Sequence, residues 1–237
     1  MPYRLIQHFE AAFNRKHYIH RNQAVSTNMA AEFYDDLYEC RLSQLYNQRI
    51  DGRERVLSIT HQAIGIPMRR GDAALGPLVH GQAFETAPGS AVARGPIASV
   101  EIGIEVKIVA KAMVKQIDRV VSDLRRQVEQ FREQGDRALS IGIVGINWAL
   151  EYTSYEGDRS YKTDGRSNNR HPFQEAATVI DRLQRDAAPA FSEFLILEFL
   201  ATNEPPYPFQ WRNAGRIDLL YGAALTRIAQ QYQSRFL

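Results

Sequence analysis

One segment, Ser99-Val100-Glu101-Ile102-Gly103-Ile104-Glu105-Val106-Lys107-Ile108-Val109, restricts the possible folds of this chain more than any other. Apolar residues occupy every even position from Val100 to Ile108, the period of two that marks a β-strand with one buried face. The pattern predicts a strand over Ile97 to Val109 whose second face gathers Glu101, Gly103, Glu105 and Lys107. Two acids and a lysine on one strand face either meet water or surround a cation.

The flanking sequence sets the class. Lys111 to Gln134 carries an apolar stripe of Val114, Ile117, Val120, Val121, Leu124, Val128 and Phe131 at helical spacing, and Gly135 follows its end. Ala138 to Glu151 is largely apolar on both faces, which predicts a strand buried on both sides. A polar loop over Tyr152 to His171 precedes a helix from Pro172 to Arg185, with proline at its first position. Phe191 to Ala201 reads as a second buried strand, Asn203 to Arg212 as a proline-aromatic loop, and Arg216 to Phe236 as a closing helix. Upstream, residues 1 to about 65 read as helical, in segments Tyr3 to Tyr18, Ser26 or Thr27 to about Gln48, and Arg53 to Ile64. A glycine- and proline-rich stretch from Pro67 to Pro96 holds a short strand over Pro77 to Thr86. Strands alternating with helices indicate an α/β class with a partly parallel sheet. The expected organisation is an N-terminal helical region, 1–66, packed on an α/β core, 67–237, that ends in a helix.

Composition narrows the function. At 237 residues, 44% hydrophobic and 24% charged, the chain has enough apolar residues for one large domain. A net charge of +2 permits nucleic acid as a partner without requiring it. Only five of the 29 cationic residues are lysine, and arginine is the better fork for phosphates and base edges. Cys40 is the single cysteine, which excludes an internal disulfide and a thiolate zinc cluster. No apolar run approaches the ~20 residues of a membrane span and the start lacks signal-peptide form, so a soluble cytoplasmic protein without a membrane partner is expected. Gly142-Ile143-Val144-Gly145 lacks the third glycine of a dinucleotide fingerprint, and no P-loop or nucleophile elbow is present.

Glu105-Val106-Lys107 is the main chemical candidate. On a strand, Glu105 and Lys107 point into the same space. The carboxylate suits a hard divalent cation such as Mg²⁺, and the lysine can orient water or offset charge building on a phosphate. With its strand, the long helix that follows and the buried strand beyond, this tripeptide resembles the PD-(D/E)xK nuclease superfamily over about residues 67 to 201. The resemblance implies a restriction-endonuclease-like fold, a mixed central sheet flanked by helices, here with an N-terminal helical extension. It further implies a Mg²⁺-dependent DNA endonuclease, of restriction type or another defence role, with Glu105 and Lys107 catalytic and Glu105 on the metal. The family's upstream acid usually follows proline, and this chain has no Pro-Asp dipeptide. Asp72, Glu85 and Glu101 are the alternatives for a second catalytic and metal-binding acid. Glu101 lies ~13 Å along the strand from Glu105, too far to share one ion. Asp72 is favoured: it is the family's residue type, and Arg69-Arg70-Gly71 before it suits a phosphate-facing loop.

Nucleic-acid contacts are expected from Lys111 and Lys115, read as sharing one helical face, and from Arg159, Lys162, Arg166, Asn169 and Arg170 in the 152–171 loop. Double-stranded DNA is the expected partner, and cleavage of both strands favours a homodimer with a two-fold axis like that of the duplex. A non-catalytic nucleic-acid- or protein-binding module on the same fold, or a nuclease acting on RNA, are the alternatives.

Overall fold

The computed structural model describes residues 3–19, 23–59, 62–63, 66–67 and 73–237. Helices α1 (Arg4–Phe13), α2 (Gln23–Glu39) and α3 (Gln44–Asp51) come first. Strands β1 (Arg55–Ser58), β2 (Gln62–Ala63), β3 (Ile66–Pro67), β4 (Ala73–Pro77) and β5 (Ile102–Val109) follow. Then come α4 (Met113–Glu133), β6 (Leu139–Asn147), the pair β7 (Thr153–Glu156) and β8 (Arg159–Lys162), α5 (Pro172–Asp186), β9 (Glu193–Ala201), β10 (Phe209–Trp211) and α6 (Ala214–Phe236). This is an α/β protein built on a mixed six-stranded sheet ordered β1-β4-β5-β6-β9-β10. The β5–β6–β9 centre is parallel, and β1, β4 and β10 run antiparallel to their neighbours.

Alternation along the central strands divides the core in two. Ile102, Ile104 and Val106 of β5, Ile141 and Ile143 of β6, and Leu195, Leu197 and Phe199 of β9 pack with α1, α2, α3 and α6. Val109, Val144 and Ile146 pack on the opposite side with α4 and α5. The stripe expected on α4 is buried except for Val114, which is exposed.

Several sequence expectations change, among them the helix expected to run to about Gln48, which is two helices, α2 and α3, and the Asn203 to Arg212 loop, which contains β10. The helix over Arg53 to Ile64 is absent from its described part, which instead holds strands β1 and β2. Leu57 bonds the 93–95 segment through its backbone while β1 pairs with β4, and these distant partners override any local helical tendency. The strand expected over Pro77 to Thr86 ends at Pro77, which has no N–H to continue a ladder, and begins earlier, at Ala73. The polar 152–171 segment contains a hairpin rather than a loop alone, with β7 and β8 joined through Gly157 at φ 59°.

Helix α1 has no side-chain cap of its own. Asp36 of α2 replaces it, accepting from the N–H groups of Arg4 (2.8 Å) and Leu5 (3.0 Å) and from the Tyr221 hydroxyl of α6 (3.0 Å). Burial pushes the Asp36 carboxyl up to about 6, outweighing these three donors, and Glu39 adds to the rise. A folded pKa above the unfolded value means the folded state takes up the proton first as pH falls. This group's contribution to stability therefore increases through pH 6 and is complete below about pH 4. Relative to Asp36→Asn, the wild type should gain about 2 kcal/mol between pH 7 and pH 4. Parallel urea titrations of both proteins across that range would show it, and a flat difference would refute it.

Candidate functional site

β5 is central in the sheet, bonded to β4 on one side and β6 on the other. Two residues before Glu105, Gly103 lies under Phe131 of α4, where a Cβ would sit 2.4 Å from the ring. Two residues after Lys107, Val109 packs with α4 and α5. Glu105 and Lys107 therefore lie on the α4 side of the sheet. Lys107 Nζ is 2.6 Å from Glu105 Oε1, with the carboxylate side chain only 5% exposed and the lysine 35%. The adjacent β6 residue is Gly142, so no β6 side chain stands beside Glu105 in that row. Gln127, one turn before Phe131 on the buried face of α4, has no hydrogen-bond partner for its Nε2 among the described residues. A carboxylate, an ammonium and an amide thus interrupt an apolar layer of Ile117, Val121, Leu124 and Val128.

The candidate second acids separate clearly. Asp72 lies outside the described residues. Ala73, next in the chain, is the register partner of Ile104, and the Tyr34 hydroxyl donates to the carbonyls of Ile102 (2.9 Å) and Ala73 (3.3 Å). The chain thus enters β4 beside Ile104, one residue from Glu105. Glu85 is bridged to Arg94 at the outer edge of β1, with β1 and β4 between it and β5. Glu101 does not share the face of Glu105. The strand begins at Ile102, and the Glu101 carboxylate turns to Arg55 Nε (2.8 Å), the Tyr232 hydroxyl (2.6 Å) and Arg49 (3.6 Å).

Lys111 and Lys115 do not form a helical pair. Ala112, in the left-handed region at φ 47°, separates Lys111 from the start of α4 at Met113. Lys111 reaches across to the hairpin, where Nζ donates to Ser154 Oγ and lies 5.9 Å from the Tyr161 ring centroid. Burial lowers its pKa, partly offset by Glu156. Lys115 is exposed on the first turn of α4. Arg159, Arg166 and Arg170 are exposed. Lys162 is held by Glu204 (2.9 Å) and Glu151 (3.1 Å), which raise its pKa. Asn169 Nδ2 donates to the Lys162 carbonyl and closes its own loop.

The hairpin crosses the carboxyl ends of the parallel strands. Lys111 follows β5, Thr153 N–H bonds the Thr202 carbonyl just beyond β9, and β7 follows β6. Open α/β sheets bind ligands at this end. The sequence reading missed Ser154 and Glu204 as partners here. Gly157-Asp158 between two runs containing Thr, Tyr and Lys was the available hairpin signal.

For a hard divalent cation, the described residues supply one carboxylate, Glu105, of the right donor type. Among them, no group of three or more His, Cys, Asp or Glu is arranged to hold a metal. No family model matches this sequence, and a search of curated proteins finds no match.

Proposed function

We propose that this chain is a Mg²⁺-dependent DNA endonuclease of the restriction-endonuclease-like fold. The observation that carries it is the Glu105–Lys107 pair: a buried carboxylate and a lysine 2.6 Å apart on one face of a central strand. That strand runs antiparallel to the one before it in the sheet and parallel to the one after it, with a helix between.

Glu105 would hold the ion, and Asp72 is the acid proposed to complete its coordination. The chemistry such an ion supplies when bound is activation of a water and neutralisation of charge on the phosphate. Lys107 keeps its ammonium at the carboxylate, where it can orient the attacking water and offset charge on the phosphodiester oxygens. A water oxygen attacks phosphorus in line and gives up its proton to solvent, and the P–O bond to the sugar breaks, the departing sugar oxygen taking a proton from solvent. Cleavage of both strands favours two copies related by a two-fold axis.

The test is supercoiled plasmid incubated with Mg²⁺ and wild type, Glu105→Ala or Lys107→Ala. Cutting by the wild type alone, stopped by a chelator, is the expected result. Equal nicking by all three proteins would rule out the site, and cutting insensitive to chelator would rule out the metal. A non-catalytic binding module is the second reading, favoured by the lack of a three-ligand cluster among the described residues. Wild-type protein that binds duplex DNA and never cuts it would select that reading.

A further inference from the structure

The ribbon of β7 and β8 has two unlike faces. On one, Thr153 Oγ1 (2.6 Å) and Lys162 Nζ (2.9 Å) both donate to Glu204, and Asn203 Nδ2 donates to the Thr153 carbonyl (2.8 Å). Tyr155 packs on His17 from the same face, ring centroids 5.2 Å apart. These contacts fix the ribbon's base. The other face carries the cross-strand pairs Ser154–Tyr161 and Glu156–Arg159, and Lys111 reaches it. Every residue from Glu156 to Lys162 is exposed, Tyr161 at 47%.

We infer that this ribbon is the sequence-reading element and enters the major groove of duplex DNA. Asp158 and Arg159 at its tip meet base edges, while the exposed Arg166 and Arg170 meet flanking phosphates. This rests on the reading of the protein as one that acts on duplex DNA.

Dimensions support it. Thr153 and Ser154 are buried, so the part of the ribbon that projects is its tip, Glu156 to Lys162, which offers exposed side chains from both strands. The major groove, ~12 Å wide, admits a two-stranded ribbon in undistorted duplex, whereas the ~6 Å minor groove takes one only when the DNA is deformed. Charge supports it as well. Glu156 and Asp158 sit at the tip beside Arg159, and phosphates would repel them. Carboxylates do suit the cytosine amino group, and arginine suits guanine O6 and N7. Mixed charge at an exposed tip on an anchored base fits base readout better than backbone attraction. Lys162 and Asn169, occupied within the protein, serve the anchor rather than the readout.

The test selects from a pool of duplexes with a randomised centre, using intact protein in EDTA and, separately, with Ca²⁺ in place of Mg²⁺. Wild type should enrich a defined sequence containing a G·C pair. Methylating guanine N7 in that sequence should weaken binding at least tenfold, because N7 lies in the major groove. Arg159→Ala should lose roughly ten- to hundredfold in affinity for the selected sequence and relax selection at one base pair. Asp158→Asn should shift preference at a neighbouring position. The proposal fails if wild type selects no sequence, if both variants enrich the wild-type sequence unchanged, or if N7 methylation has no effect. Normal selection together with undiminished cutting by Glu105→Ala would overturn the active site alone. No duplex binding under either condition and no cutting would overturn both.

Discussion

Glu105→Gln and Lys107→Ala are each expected to lower the Mg²⁺-dependent cleavage rate roughly 10³-fold or more, since each removes a group acting at the reacting phosphate. Glutamine keeps the volume of Glu105 in the layer beneath α4 and gives up a metal-binding charge. The buried carboxylate carries a desolvation cost that the neutral amide lacks, so the sheet should tolerate the change within about 1 kcal/mol. Lys107→Ala differs in one respect. It withdraws an ammonium 2.6 Å from Oε1 and strips a stem from a half-buried position, so some loss of stability accompanies the loss of rate. Lys107→Arg keeps the charge on a larger, planar group, and recovery should be partial at most. Single-turnover rates at saturating Mg²⁺, with urea midpoints measured on the same preparations, separate chemistry from folding. An undiminished rate in Glu105→Gln would end the assignment.

Much of this arrangement is legible in the sequence because local periods carry it. β5 reads as a strand from its alternation, α4 as a helix from its stripe with Gly135 after its end, and α5 as a helix from Pro172 at its first position. The Glu105–Lys107 pair follows from the same period of two. What local periods do not carry is pairing at a distance. β1 is four residues long, and its strand character comes from β4 on one side and residues 93–95 on the other. Glu101 continues the alternation by count, yet its backbone bonds the Leu75 and Leu139 segments ahead of the regular ladder. Its side chain then follows Arg55 and Tyr232, residues 46 and 131 positions away. The hairpin at Gly157 carried a turn signal that the polar composition around it masked.

Glu101 should be a position where the loss of a single side chain costs the fold heavily. Its carboxylate is 8% exposed and joins three elements: Arg55 of β1, Arg49 of α3 and Tyr232 of α6. Burial, with the Glu101 charge adding to it, holds the Tyr232 phenol well above its ordinary pKa, so it stays a donor. Arg49 extends the network to the chain's end, donating to the Tyr232 hydroxyl (3.2 Å) and the Phe236 carbonyl (3.0 Å). Glu101→Ala leaves two guanidinium groups, each less than a fifth exposed, without their carboxylate, and should cost about 3–5 kcal/mol. Glu101→Gln keeps an acceptor and loses the charge, and Tyr232→Phe removes one hydrogen bond to a charged group; each should cost about 1.5–3 kcal/mol. The double variant should cost less than the sum, by about 0.5–3 kcal/mol, because both changes act on one contact. Urea unfolding should show the midpoint fall with the slope unchanged. Glu101 lies on the opposite side of the sheet from Glu105, so the folded fraction of Glu101→Gln should cleave at the wild-type rate. A cleavage defect larger than the unfolded fraction accounts for would mean that this network also positions the site, through the β5 backbone that begins one residue later.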